Sequence, residues 1–334
     1  MPAFAICLVS LLLLLPISAL SASTEDRVSP PSLSSPSLFQ EWQIWEVKTG
    51  QPIAFEDLMA DLAGEDVIYL GEEHHNKWHI EAALKILTAL LSHERRPVLA
   101  LEMFGWDGQA ALDRYLADKD QPRDQFLKES RWEQNWGGAF EDYEPLVAFA
   151  RSQRLSVLAL NPPKALVRLV AKQGLAQALA DPGLVEWGMK DEPFPEDQAY
   201  HEMIVKPLRQ CHGGLSDGDY QRMYEASMFR DEGMAKTIAD QLRRQRAGTN
   251  QTDPQAIPQT GPIVSYTGGG HIQYRLPVPN RVLRRNGDVR QATIYMTSFE
   301  PTRAEEIRML MKEAVADYLW LPPLSPQGAP RRCR

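Results

Sequence analysis

The sequence contains little cysteine: three residues among 334, with no CxxC pair. The absence of CxxC disfavours a site in which thiolates hold a metal ion. Cys7 lies inside an apolar run at the amino terminus, so Cys211 and Cys333 are the cysteines expected in an exported, processed chain. An oxidising compartment would permit one disulfide between them, although nothing in the sequence requires it.

The chain also has no surplus of basic residues, since 36 Lys and Arg stand against 44 Asp and Glu and the formal net charge is −8. Nucleic-acid binding needs a basic patch, so we expect no nucleic-acid partner. No GxGxxG stands before a helix and no Walker GK[ST] is present, which argues against a nucleotide-binding loop. The absence of GxSxG disfavours a serine hydrolase.

A single strongly apolar run, over residues 4–15, is short for a membrane span of roughly 20 residues. Small residues follow it, and the pattern predicts a secretory signal peptide over residues 1–22. No Lys or Arg precedes the run, and no Cys stands where a lipoprotein would be cleaved. We therefore expect an exported protein of the periplasm or envelope, with an uncleaved membrane anchor as the alternative.

The composition divides the rest of the chain into three parts. Residues 23–40 are rich in Ser and Pro and predict a flexible leader, and residues 321–334 predict a disordered tail. Between them, short apolar runs alternate with helical periodicity, which favours one α/β domain over 41–320. We expect a mostly parallel sheet with helices on both faces, and a largely helical insertion over about 190–245. The predicted strands span residues 67–70, 98–101, 156–160, 263–266 and 292–296.

Polar side chains follow four of these strands, and ligands of open α/β sheets bind beyond the carboxyl ends of strands. Glu72 and His74 follow the first strand, and Glu102 follows the second. Asn161 follows the third, and three glycines lead from the fourth to His271. Each of these residues has an ordinary structural interpretation, such as a helix cap or a turn. Their coincidence at four strand ends predicts one shared pocket.

Two carboxylates and two imidazoles in one crevice have few stable arrangements. Glu72 and Glu102 repel when both are ionised, so a proton or a cation must lie between them. Imidazole nitrogen and carboxylate oxygen suit Zn²⁺, Mn²⁺ or Fe, so Glu72, His74, Glu102 and His271 are candidate ligands of a divalent metal ion. The same four residues are candidates for acid–base catalysis.

Two other residues keep two interpretations each. Arg230 pairs either with a pocket carboxylate or ligand, or merely with its neighbour Asp231 on a solvated helix face. His79 either reaches the pocket or packs within its helix near Trp78.

Five segments occur in a fixed order between about residues 67 and 283: GEEHHNKWHIEAALKIL, LEMF followed by DGQAALDRYL, LALNPPKALVRLVAKQG, MFRDEGMAKTIA and YTGGGHIQYRLPVPNRVL. This ordered set resembles the ChaN-like haem-binding uptake proteins of the Tiki superfamily. The resemblance implies an α/β envelope protein linked to haem or iron uptake. By motif match it implies a pocket of Glu72, His74, Glu102 and His271, with His79, Asn161, Arg230 and Asp231 at further family positions.

Members of this family are described as binding haem as dimers, with a tyrosine bound to iron and assisted by a histidine of the partner subunit. The resemblance therefore implies haem as cofactor, a homodimer and an envelope transport component as partner. The family's tyrosine does not align with one position here: Tyr200, beside His201, is a candidate, as are Tyr143, Tyr224 and Tyr274. The absence of CxxCH excludes covalently attached haem.

The wider superfamily supplies a second hypothesis. It includes Tiki-type metalloproteases and erythromycin-esterase-like hydrolases, so the strand-end residues would form a metal-dependent or Glu/His-dependent hydrolase. A partner-binding domain without catalysis is the third hypothesis, because a fold does not fix a function.

Overall fold

One β-sheet forms the centre of the protein. The computed structural model describes residues 39–248, 260–326 and 328. Within these residues, eight strands join in a single sheet. The strands are β1 (Ile44–Glu46), β2 (Gln51–Ile53), β3 (Val67–Glu72), β4 (Val98–Gly105), β5 (Val157–Asn161), β6 (Ile263–Gly268), β7 (Gln291–Met296) and β8 (Tyr318–Trp320).

The strand order across the sheet is β2-β1-β8-β7-β3-β6-β4-β5. From β8 to β5 every neighbouring pair is parallel, whereas β1 pairs antiparallel with both β2 and β8. Parallel neighbours need crossover connections, and helices supply them here. The predicted α/β class with a mostly parallel sheet is confirmed.

The helices of the described residues surround this sheet. None of them combines the length and the apolar character needed to cross a membrane. The helices are α1 (Phe55–Asp61), α2 (Lys77–Ser92), α3 (Gln109–Ala117), α4 (Arg123–Glu129), α5 (Trp132–Asn135), α6 (Glu144–Gln153), α7 (Lys164–Gln173), α8 (Leu175–Ala178), α9 (Pro182–Glu186), α10 (Gln198–Cys211), α11 (Asp217–Arg246), α12 (Val278–Asn286) and α13 (Ala304–Lys312).

Helices cover both faces of the central strands. Successive residues of a strand point to opposite faces, and β3 is buried along its whole length. Ile68 and Leu70 pack in a cluster with Ile86 of α2, whereas Tyr69 packs on the other face with Ile238 of α11. Such two-sided burial explains why this strand is a continuous apolar run rather than an alternating one.

The predicted helical insertion corresponds to α10 and α11. A turn separates the two helices, and Ser216 and Asp219 form a capping box at the start of α11. The first half of α11 packs with α7 to α10 in a separate apolar cluster, and its second half packs on the sheet. Arg230 and Asp231 lie where this helix passes from the insertion to the sheet.

The ends of the described chain pack against the domain. Phe39 is 1% exposed and stacks edge-on against Trp45. Leu321 is fully buried, and its backbone pairs with that of Trp42 and Gln43. The expectation of a disordered tail therefore does not hold for residues 321–326, because an apolar side chain and paired backbone fix its start. The predicted signal peptide (1–22), leader residues 23–38 and tail residues 327 and 329–334 lie outside the described residues.

Candidate functional site

The carboxyl ends of four neighbouring strands, in the order β3, β6, β4 and β5, form one edge of the sheet. β3 ends at Glu72, β6 at Gly268 and β5 at Asn161. The register of β4 against β5 shifts after Leu101, so Glu102 opens the irregular end of this strand. The structure thus brings the residues singled out at the strand ends to one place.

Glu72 and His74 form a carboxylate–imidazole pair. Oε1 of Glu72 lies 2.7 Å from Nδ1 of His74 and accepts from the Tyr143 hydroxyl at 3.0 Å, while Oε2 accepts from the Tyr266 hydroxyl at 2.7 Å. Burial raises the pKa of Glu72. Burial alone would lower the pKa of His74, but Glu72 and the nearby Glu102 raise it. Because a carboxylate accepts, Nδ1 of His74 carries the proton and Nε2 faces the crevice.

Glu102 occupies the centre of the site and is 1% exposed. Arg230 donates to its Oε1, and the backbone N–H of Gly268 donates to its Oε2 over 2.6 Å. Nε2 of His271 lies 3.5 Å and Nε2 of His74 lies 4.0 Å from Oε1. Burial alone would raise the pKa of Glu102, but the charges of His271 and Arg230 lower it well below its usual range. Glu102 is therefore ionised at neutral pH.

A second carboxylate–imidazole pair joins His271 to Asp231. Nδ1 of His271 lies 2.5 Å from Oδ1 of Asp231, and Oδ2 of Asp231 accepts from the Tyr200 hydroxyl at 2.5 Å. Burial alone would lower the pKa of His271, but Glu102 and Asp231 raise it to about 9. His271 is thus an imidazolium at neutral pH. Together with Arg230, His271 balances the charges of the buried carboxylates Glu102 and Asp231. Without these cations the desolvation of the two carboxylates would cost folding free energy.

Two pockets open beside His74, and both His74 and His75 line each of them. The first, which we call the glycine pocket, has a volume of about 610 Å³. Its other lining residues include Glu72, Gly268, Gly269, Gly270, His271 and Tyr295. The second, which we call the lysine pocket, has a volume of about 440 Å³. Its other lining residues include Glu102, Trp136, Pro162, Lys164, Val167 and Arg230.

His75 is the more exposed of the two shared histidines. It lies in the turn between β3 and α2 with a left-handed φ of 65°, and its side chain is 44% exposed against 39% for His74. Nδ1 lies 2.6 Å from Oδ2 of Asp142, and its backbone N–H donates to the Tyr143 hydroxyl. Among the described residues, no group makes a hydrogen bond with Nε2 of His75. This nitrogen is open to a ligand.

Close packing holds His74 between two neighbours. The indole of Trp136 meets its ring edge-on, with centroids 5.0 Å apart. On the other side, a Cβ atom at Gly268 would lie 2.8 Å from both Cε1 and Nε2 of His74. Only a residue without a side chain leaves this space, so glycine at the end of β6 positions the imidazole.

Asn161 and Arg230 are hydrogen-bonded to each other, and both contact Glu102. Nδ2 of Asn161 donates to the backbone carbonyl of Glu102 at 2.5 Å, and its Oδ1 accepts from Nε of Arg230 at 2.9 Å. Of the two interpretations of Arg230, the structure therefore favours pairing with a pocket carboxylate over a solvated helix face.

His79 lies outside both pockets. It is fully buried in α2, where its Nδ1 accepts from the backbone N–H of Glu73 at 3.0 Å. Burial lowers its pKa to about 4, so the ring is neutral at physiological pH. Of its two interpretations, packing within its helix agrees better with this position.

The tyrosines considered as haem ligands do not present a hydroxyl to the pockets. Tyr143 and Tyr200 are fully buried and donate to Glu72 and Asp231. Tyr224 is 2% exposed and packs against the ring of His201, with centroids 4.6 Å apart. The Tyr274 hydroxyl donates to Glu313 at the surface. Tyr200 acts on the site indirectly, through Asp231 and His271.

The metal expectation finds no support in this geometry. Among residues 39–248, 260–326 and 328, no three His, Cys, Asp or Glu side chains are placed to hold a metal ion. The reason is that protein donors already occupy the oxygens of Glu72 and Glu102. The charge of Glu102 is balanced by Arg230 and the imidazolium of His271, whereas Glu72 pairs with His74.

The amino-acid sequence matches a known family over residues 58–282, and that family is described as haem-binding uptake, Tiki superfamily, ChaN. The chain belongs to this family. The resemblance found in the ordered motifs is thereby confirmed.

Individual relatives are more distant. ChaN of Campylobacter jejuni, solved with cofacially bound haem, superimposes with a TM-score of 0.61 at 18% identity, over 84% of this chain and 97% of that one, which shows a common fold. RETICULATA-RELATED 5, a chloroplastic protein of Arabidopsis thaliana, is 24% identical over 292 residues; the chain spans 36% of its length. A mutant of the erythromycin esterase EreC gives a TM-score of 0.43 at 13% identity, over 77% of this chain and 76% of that one.

Sequence reasoning missed several residues of this candidate site. The strand-end argument does not single out His75, and its partner Asp142 lies 67 residues further along the chain in a segment without any motif. Trp136 and Lys164 reach the crevice from α5's end and the start of α7. A signal existed only for Lys164, which stands in the segment that follows Asn161.

Proposed function

We propose that this protein binds haem in the crevice beside His74 and His75, as an exported component of haem or iron uptake at the cell envelope. The observation that carries this proposal is a pair of exposed imidazoles whose Nδ1 atoms are each held by a carboxylate, at 2.7 Å and 2.6 Å. Histidines that bind metal typically donate their other ring N–H to such a partner, which fixes the ring. Family membership supports the same ligand.

The residues of the crevice fit haem. Imidazole nitrogen is an accepted ligand of haem iron, so haem would supply the iron atom to which a histidine of the crevice binds. His75 is the residue we expect to hold it, because its Nε2 is open, whereas Nε2 of His74 faces Glu102. Trp136, Pro162 and Val167 offer apolar contact to the ring system.

Export is supported by the apolar amino-terminal run, which has the length and the following small residues of a signal peptide. Because family members are described as binding haem as dimers, the same proposal includes a homodimer and an envelope transport partner.

A hemin titration tests the ligand and its residue. The purified wild type should give a saturable Soret spectrum, and His75→Ala should abolish or shift it. His93→Ala is the matched control, because this exposed histidine stands at the opposite end of α2. If the wild type gives no saturable spectrum, the haem-binding proposal is rejected. If the His75→Ala spectrum is identical to that of the wild type, His75 is not the ligand.

A second function, hydrolysis by Glu and His without a metal ion, is favoured by one observation. Two carboxylate-backed imidazoles face Oε1 of Glu102 from either side. A water molecule held by Glu102 and Nε2 of His74 would lose its proton to His74, and the cations His271 and Arg230 would stabilise a developing oxyanion.

Ester hydrolysis by matched variants separates the two functions. With an activated ester such as p-nitrophenyl acetate, His74→Gln should remove hydrolysis above background, whereas His75→Ala should retain it. Equal rates for wild type and His74→Gln would reject the hydrolase for this substrate class.

A further inference from the structure

The lysine pocket contains a cation without an acidic partner. Nζ of Lys164 lies 3.4 Å from the backbone carbonyl of Trp136, and among the described residues no carboxylate lies within ion-pair distance of it. Surface lysines are commonly solvated, but this one lines a concave site together with Trp136, Pro162 and Val167. An ammonium group beside an apolar wall is a recognition element for an amphipathic anion.

Arg230 adds a second donor to the same pocket. Its Nη2 is committed to Glu102 and its Nε to Asn161, while Nη1 has no partner within the described residues. The Arg230 side chain is 30% exposed, which leaves room for a ligand to approach it. Glu102 is the sole carboxylate that lines this pocket among the described residues, and Arg230 and Gly268 already bind it.

The local charge is opposite to that of the whole protein. The chain has a formal net charge of −8, yet Lys164 and Arg230 face the pocket against a single carboxylate. Weakly hydrated arginine and flexible lysine are the usual partners of ligand carboxylates. Two cationic side chains that line a pocket of an acidic protein favour a negatively charged ligand.

We propose that the lysine pocket is a subsite for the carboxylate groups of the ligand, with Lys164 as the main contact and Arg230 as the second. This inference rests on the proposed haem-binding function and deepens it: the propionates of haem would lie against Lys164 while the ring contacts Trp136 and Val167. The ligand class is therefore an apolar, carboxylate-bearing porphyrin rather than a neutral one.

The test compares hemin with hemin dimethyl ester, which has the same ring and iron but no free carboxylates. Wild type should bind hemin about tenfold more tightly than the ester, since a charged hydrogen bond contributes on that scale. Lys164→Gln should lose this preference by weakening hemin about tenfold and leaving the ester unchanged. Lys164→Arg should restore it, and Lys172→Gln, on an exposed position of the same helix, is the matched control.

The outcomes separate the subsite from the function. If wild type binds neither porphyrin, both the haem-binding proposal and the subsite proposal are overturned. If wild type and Lys164→Gln bind hemin equally tightly, the subsite is overturned while haem binding stands. Equal weakening of hemin and ester by Lys164→Gln would also overturn the subsite, because it would show damage to the pocket rather than loss of a charge contact.

Discussion

The Nε2 atoms of His74 and His271 approach one oxygen of Glu102, Oε1, to 4.0 Å and 3.5 Å. Each ring is backed on its Nδ1 side by another carboxylate, Glu72 or Asp231. The two pairs converge from different strand ends, so Glu102 is the group that holds the site together electrostatically. Changing its charge should affect stability more than changing any exposed carboxylate.

Glu102→Gln should destabilise the protein by about 3–5 kcal/mol, because it removes the buried charge that Arg230 and His271 share and leaves Arg230 without a carboxylate partner. The free energy of unfolding, measured by urea denaturation, checks this. Glu129→Gln is the control, since its ion pair with Arg114 is solvent-exposed and its loss should change stability much less. Equal losses in the two variants would contradict the central role of Glu102.

Stability should fall as the pH rises from about 6.5 to 9. The folded-state pKa of His271 is raised from 6.5 to about 9, so its stabilising charge interactions are complete below pH 6.5 and are lost as pH rises through the folded value. The shift corresponds to ~3 kcal/mol at most. His271→Gln should be less stable at pH 6 and show a flatter profile up to about pH 9.5. Parallel urea midpoints for both proteins over this range would contradict the assignment.

Much of the fold was predictable because its signals are local. β3 is a continuous apolar run since both faces are buried, and Ser216 caps α11 at its first turn. The start of the supposed tail was not predictable. Leu321 stands among prolines, and its burial depends on pairing with Trp42 and Gln43, which lie almost the whole chain away.

The candidate site likewise has a part that was predictable from the sequence and a part that was not. Glu72, His74, Glu102 and His271 follow directly from strand ends, because neighbouring parallel strands place their carboxyl ends together. Their partners could not be found by spacing. Tyr143 reaches Glu72 from a loop before α6, and the charge balance around Glu102 depends on distances between three elements.

The buried ion pair between Glu73 and Arg303 should be a second determinant of stability. Arg303 donates to Oε1 of Glu73 at 2.9 Å, and Thr297 and Ser298 add further hydrogen bonds. Arg303→Met should cost about 3–5 kcal/mol by leaving Glu73 unpaired, and adding Glu73→Gln should recover part of that loss.

Urea denaturation of the single and double variants measures this coupling. Arg308→Met is the control, because Arg308 pairs with Glu305 at the surface and its loss should cost under about 1 kcal/mol. A double variant less stable than Arg303→Met would contradict the view that the unpaired carboxylate causes the loss.

Gly268→Ala should displace His74 while leaving the fold intact. The added Cβ would lie 2.8 Å from Cε1 and Nε2 of the imidazole, and 3.6 Å from Oε2 of Glu102. Backbone strain is not the cause, since φ is −57° at this residue. Gly270→Ala is the matched control in the same turn, because a Cβ there meets no atom within 4 Å.

Esterase activity and hemin spectra should therefore change in Gly268→Ala and remain unchanged in Gly270→Ala, with similar urea midpoints for both. If ester hydrolysis disappears but hemin binding through His75 persists in Gly268→Ala, the two imidazoles serve separate functions. If both variants behave as wild type in both assays, the close approach of Gly268 to His74 has no functional consequence.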